Sequence, residues 1–116
     1  MNLSVTAINA MIAKVRFNAD GLVAAIAQDA DNGDVLMMAW MNEATLRETL
    51  ETGRACYWSR SRQAFWRKGD TSGHTQTVHD LMVDCDGDTI LMKITQIGAA
   101  CHTGTRTCFF TSLNDL

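Results

Sequence analysis

Residues 22–40 read LVAAIAQDADNGDVLMMAW. Two apolar runs, Leu22 to Gln28 and Val35 to Trp40, flank Asp31-Asn32-Gly33-Asp34, and Asn-Gly is a pair favoured where both central residues of a turn take positive φ. The stretch predicts a β-hairpin. Downstream, Asn42 is placed to cap a helix carried by Ala44, Leu46, Arg47 and Leu50, with Glu43 near the positive end of its dipole and Gly53 where it stops. Upstream, Ile8, Met11, Ile12 and Val15 recur at the spacing of one helical face behind a candidate N-cap at Ser4. Further along, Tyr57 and Trp58 suggest a strand and Ser59 to Gly73 reads as a long polar loop. Thr77 to Asp84 and Thr89 to Ile97 read as strands about an Asp86-Gly87 turn, and Phe109 and Phe110 as a final short strand. With strands outnumbering helices, the expectation is an α+β fold, mainly antiparallel sheet with one or two short helices, spanning residues 1–116 as one domain.

Composition narrows the class. Of the 116 residues, 47% are hydrophobic and 20% charged, which is globular composition. No apolar run approaches the roughly 18 residues of a membrane span. The formal charge of −3 argues against a protein that binds nucleic acid in bulk, which would carry a basic excess. Met1 to Arg16 lacks the order of a signal peptide, so a cytoplasmic location with reduced thiols is expected.

The candidate chemistry lies in the second half of the chain. Cys85, Cys101 and Cys108 do not have the close pairing of a zinc finger, but three thiols from distant segments can meet in space. Such a set leaves zinc one open position for water, the arrangement of a catalytic site. His102, beside Cys101, is a candidate proton acceptor, and His74 has a similar claim. Any one of these cysteines is alternatively a small buried hydrophobe, and Cys56, inside an apolar strand, takes that reading outright. Asp84, Asp86 and Asp88 alternate with Cys85 and Gly87, so an extended backbone would send carboxylates to one side and the thiol to the other. Carboxylates suit a hard ion such as magnesium, and thiolates a softer one such as zinc. An acidic surface turn is the plain alternative. An EF-hand is excluded, because Thr89 follows Asp88 where glycine is needed and Thr95 stands where the bidentate glutamate belongs.

Between Tyr57 and Gln76, rings and cations interleave: Trp58, Arg60, Arg62, Trp66, Arg67 and Lys68 precede Ser72 and Gln76. Rings stack on a base, and Arg or Lys holds phosphate. A nonspecific basic loop is the alternative reading.

Taken together, GLVAAIAQD (21–29), MAWMNEATLRETLETGRACYWSRSR (38–62), WRKGDTSGHTQ (66–76), DCDGD (84–88) and CHTGTRTCF (101–109) resemble successive blocks of the phosphoribosyl-AMP cyclohydrolase family, over roughly Gly21 to Phe110. The resemblance implies a zinc hydrolase of histidine biosynthesis that opens the purine ring of phosphoribosyl-AMP at N1–C6. It implies Cys85, Cys101 and Cys108 as zinc ligands and Asp84, Asp86 and Asp88 as magnesium ligands. It also implies an intertwined homodimer in which one subunit supplies the DCDGD cysteine and the other the later pair. Since the sequence stops soon after Phe110, the form without a fused pyrophosphohydrolase is expected. Ala24 replaces a frequent proline, and Cys56 a usual histidine or threonine; neither is a proposed ligand. Three rivals have distinct signatures. Zinc deaminases need HxE and PCxxC motifs that are missing here. A structural zinc module would close the metal with four ligands. An RNA-binding module would bind oligonucleotide in a salt-dependent way without zinc.

Overall fold

A computed structural model describes residues 1–116. Ser4 caps helix α1 (Val5–Ala13) through its side chain, which accepts from the Ala7 amide. Strands β1 (Val23–Asp29) and β2 (Val35–Met41) form the expected antiparallel hairpin. Helix α2 (Glu43–Thr52) begins in a capping box, where Asn42 accepts from the Thr45 amide and the Thr45 hydroxyl from the Asn42 amide. It ends at Gly53, whose φ of +72° is the left-handed conformation that glycine adopts without penalty. Strands β3 (Cys56–Ser59), β4 (Ala64–Arg67), β5 (Gln76–Val83) and β6 (Thr89–Gln96) follow, and a single 3-10 turn spans Leu113–Asp115.

Four strands make one sheet in the order β2-β1-β6-β5, and β3 and β4 make a separate ribbon. Three of the four pairings are antiparallel; β1 and β6 run parallel, which lays Ala25 beside Ile90 and Ala27 beside Met92. The architecture is α+β and mainly antiparallel. Period-2 burial explains its core. Val23, Ala25 and Ala27 of β1 face inward with Ile90, Met92 and Ile94 of β6, and Ile8, Ile12, Leu46 and Leu50 of the helices join the same buried cluster. No helix is long and apolar enough to cross a membrane.

Four expectations change. The β1–β2 turn is not a two-residue Asn-Gly turn, since Gly33 takes φ +81° but Asn32 stays at negative φ. Asp29 instead builds a longer turn, its carboxylate accepting from the amides of Asp31 (2.8 Å) and Asn32 (3.3 Å). The Ser59–Gly73 loop contains a strand: β4 pairs Trp66 with Tyr57 and Phe65 with Trp58, and these aromatic cross-strand pairs supply apolar contact that charge-rich flanks hide in the sequence. Asp84–Asp88 is not extended; the Gly87 amide donates to the Asp84 carbonyl at 3.1 Å, closing a turn. Phe109 and Phe110 form no strand and are exposed at 62% and 56%.

Candidate active site

A cavity of 860 Å³ opens where β2, the β3–β4 ribbon and the segment around Ala100 to Cys108 meet. Trp58, Arg60, Arg62, Trp66 and Lys68 line it, as do His102 and Cys108. Two residues not singled out in the sequence add to the wall: Trp40, whose ring lies 5.1 Å from the Arg60 guanidinium, and Met38. A cavity of 490 Å³ shares Arg62, Trp66, Lys68 and His102 with the first and adds Ser72, His74 and Cys101. Indole faces, cations, imidazoles and thiols therefore converge on one side of the molecule.

The thiol segment is held both by its own backbone and by contacts far apart in sequence. The Cys101 amide donates to the Thr105 carbonyl (3.2 Å) and the Ala100 amide to the Arg106 carbonyl (3.0 Å), folding the loop on itself. The Cys108 amide donates to the Leu36 carbonyl at 2.7 Å, which ties the loop to β2. Arg106, unnoticed in the sequence, bridges to Asp29 at 2.7 Å and Asp34 at 3.3 Å, clamping the loop to the β1–β2 turn. The Thr103 hydroxyl donates to the Cys101 sulfur at 3.0 Å. That hydrogen bond is the main reason the Cys101 thiol is brought down to about 6, so it is largely thiolate at neutral pH. Cys108 is close enough for each thiol to act on the other. Partial desolvation of its sulfur, then the neighbouring Cys101, raises Cys108 above the ordinary thiol value.

Cys85 is not with them. It sits in the turn that joins β5 to β6, whereas Cys101 follows the opposite end of β6. Eight strand residues separate the two ends, roughly 25 Å of extended chain. The ligand atoms of Asp84, Asp86 and Asp88 do meet, all within 4.8 Å of one another and all on exposed residues. The turn brings them together, with Asp84 accepting from the amides of Asp88 (3.0 Å) and Thr89 (3.3 Å). Asp84 is lowered in spite of desolvation that works the other way, through hydrogen bonding around Asp88 and Thr89, while Asp88 is raised by its crowding against Asp84 and Asp86.

The remaining candidates divide. Ser72 accepts from the His74 amide at 3.1 Å, and the His74 ring packs so close to Gly98 that a β-carbon there would lie 2.5 Å from it. Arg67 lines the smaller cavity and makes a two-point ion pair with Glu48, both contacts 2.8 Å. Lys68 is buried and donates to the Ala100 carbonyl; loss of water lowers its pKa. Gln76 is not a cavity residue. It is fully buried, accepting from the Tyr57 hydroxyl at 2.6 Å and donating to Gln96 at 2.8 Å, because its strand position points into the core. Cys56 is buried as expected, and its thiol is pushed up to about 12, mainly by desolvation and then by Glu48. His79 is on β5 at 2.6 Å from Thr95, away from both cavities.

The model of the family described as phosphoribosyl-AMP cyclohydrolase matches residues 37–110. The chain belongs to the phosphoribosyl-AMP cyclohydrolase family. It is 64% identical over 103 residues to a phosphoribosyl-AMP cyclohydrolase of Paramagnetospirillum magneticum, covering 89% of this chain and 78% of that protein. The enzyme of the same name from Corynebacterium jeikeium is 67% identical over 100 residues, covering 86% and 79%. That of Rhodospirillum centenum is 54% identical over 113 residues, covering 97% and 85%. The matched range contains β2 from Met37 onward, the residues lining both cavities, the aspartate turn and the thiol loop.

Proposed function

We propose that this chain hydrolyses phosphoribosyl-AMP, opening its purine ring at N1–C6 in histidine biosynthesis, with water activated at a zinc ion held by cysteine thiolates. The observation that carries this reading is that Cys101 and Cys108 touch each other where two adjoining cavities lined by indole rings and cations share a wall, Cys108 lining the larger and Cys101 the smaller. The donor set fits zinc: Cys101 is already thiolate at neutral pH, and Cys108 is beside it. Cys85 of a second copy completes the set, because the same chain's Cys85 is at the far end of β6. The aspartate turn fits a hard dication such as magnesium, which would relieve the mutual repulsion of its carboxylates.

Zinc, when bound, supplies Lewis acidity that lets water act as a nucleophile near neutral pH. The remaining work falls to side chains. Trp58 and Trp66 offer ring faces to the purine, and Arg60 and Arg62 offer donors to phosphate oxygens. As water adds to C6, His102 on the shared wall takes its proton, and His74, on the smaller cavity alone, is the second proton-carrying group. Cleavage of C6–N1 leaves the new oxygen on C6 as a carboxamide with the exocyclic nitrogen, and a proton passes to the departing N1.

Ultraviolet absorbance of the protein mixed with phosphoribosyl-AMP tests the reading. Ring opening that stops after chelation and returns on adding zinc supports it; a fully metal-loaded protein that leaves the spectrum unchanged overturns it.

A further inference from the structure

Lys68 and Arg67 are adjacent cations in the interleaved loop, yet they have opposite surroundings. The Arg67 side chain is half exposed and paired with Glu48. Lys68 is 8% exposed and takes part in no ion pair with a carboxylate. Its ammonium donates to the carbonyl of Ala100, the residue before Cys101, and stands 5.2 Å from the centre of the Trp66 ring. An ammonium held out of water without a carboxylate is unfavourable unless other negative groups compensate it. The thiols nearest to it in the fold are those of Cys108, which lines the larger cavity with Lys68, and Cys101, which lines the smaller cavity with it.

The backbone keeps the lysine in place. Its amide donates to the Ala55 carbonyl at 3.1 Å. Gly69, at φ +88°, packs so closely on the His74–Thr75 backbone that a β-carbon would lie 2.5 Å from the Thr75 nitrogen, so only glycine permits this approach. Swinging the ammonium out towards a phosphate would break the Ala100 contact and leave that buried carbonyl without its donor.

We propose that Lys68 is a positioning residue for the thiolate site, anchoring the peptide that carries Cys101 and supplying its counter-charge, and is not a ligand of substrate phosphate. This rests on the thiolate metal reading above. A dication held by three thiolates has a net negative charge, which would repel a phosphorylated substrate; the buried ammonium cancels it.

The test compares Lys68→Met, which keeps much of the length but loses charge and donor, with Lys68→Gln, which keeps a donor and loses charge. Zinc affinity is measured by chelator competition, the melting temperature on the metal-free chain, and kcat and KM with zinc saturating. Both variants are expected to bind zinc at least about tenfold more weakly, as loss of an outer-shell partner does. The metal-free melting temperature of Lys68→Met should change little, since removal of a buried charge offsets loss of the donor to the Ala100 carbonyl. The loss of turnover should appear in kcat rather than KM. Wild-type zinc affinity in the variants together with a raised KM overturns the proposal and makes Lys68 a phosphate ligand. A lowered melting temperature with unaltered zinc affinity overturns it in favour of a purely structural lysine. If Lys68→Met does not fold, Lys68→Gln separates the same alternatives by the same measurements. A wild-type chain that takes up no zinc overturns the metal reading itself and this inference with it.

Discussion

The two ends of the β5–β6 ladder carry ligand-type residues in opposite ways. At one end the Asp84–Asp88 turn gathers its carboxylates with hydrogen bonds inside the six residues Asp84 to Thr89, and all three aspartates are exposed. At the other end the Ala100–Cys108 segment folds on itself and is held in place by partners far away in sequence: Leu36, Asp29, Asp34 and Lys68. A local turn can present a hard-ion set by itself. The Cys101–Cys108 pair needs the wider fold to hold it, and in one chain Cys85 lies apart from it.

The strongest way to break this comparison is to remove thiols at each end. Cys85→Ser and Cys101→Ser should each lower turnover by more than about 100-fold, beyond the loss typical of outer-shell changes. Both variants should contain less zinc. If the set is shared between copies, mixing the two inactive variants under exchange should recover about one quarter of wild-type activity, because half of randomly paired dimers contain one intact site of two. Cys85→Ser with full turnover would show that the thiol site is complete without the aspartate turn.

Thiol labelling of the metal-free chain compares the segments at smaller scale. At pH 7, Cys101, brought down to about 6, should react with iodoacetamide, while Cys56, pushed up to about 12, should react at least about 100-fold more slowly. The sign follows from a lowered thiol: ionisation is complete well above its folded value and is lost as pH falls through it. Moving from pH 8 to pH 5 should therefore slow Cys101 labelling about tenfold. Peptide mapping by mass spectrometry reads both sites, and equal rates would remove the electrostatic distinction.

Gly98→Ala probes the His74 side. At φ +67° a β-carbon is strained, and here it would meet the imidazole at 2.5 Å. The ring must move, and kcat is expected to fall about tenfold, a part of the roughly 100- to 10,000-fold that a positioned proton-transfer group contributes. Unchanged kcat would take His74 out of proton transfer.

Legibility in the sequence followed the same division. α1, α2 and the first hairpin were readable because their signals are local: Ser4, Asn42 and Gly53 are caps, and the apolar residues recur at 3.6 or 2. The parallel pairing of β1 with β6 was not, since no local signal records which distant strand lies alongside. β4 was hidden because four residues between arginines and lysine look like loop, and its stability comes from ring contacts across to β3. The aspartate cluster was legible in composition, though it arises from a turn rather than from an extended strand. The cation loop was legible as chemistry and misleading as a unit. Arg60 and Arg62 line the large cavity, Arg67 pairs with Glu48, Lys68 is buried and Gln76 belongs to the core. Residue type told which groups were present, and packing decided how each is held: Lys68 lines both cavities although it is buried.

The smallest effect is expected at the clamp that Arg106 makes with the β1–β2 turn. Its side chain is 47% exposed, and Asp34 is 57% exposed at 3.3 Å, so solvent and salt screen that contact strongly; Asp29 is 14% exposed at 2.7 Å and is the stronger partner. Arg106→Ala should weaken zinc binding roughly threefold, and Asp34→Ala less. Asp29→Ala would also remove the acceptor for the Asp31 and Asn32 amides, so Asp29→Asn, which keeps that oxygen and drops the charge, is the cleaner probe. The Arg106 side chain lowers the Asp29 carboxyl below its ordinary value, so the clamp is intact at and above that value and is lost only as pH falls through the lowered one. Zinc affinity in Arg106→Ala and wild type should therefore differ by the same factor at pH 6 and pH 8, and the factor should shrink in concentrated salt. If the variant instead matched Cys101→Ser, the turn would be holding the thiol loop by itself, and Lys68 and Leu36 on its other sides would be redundant.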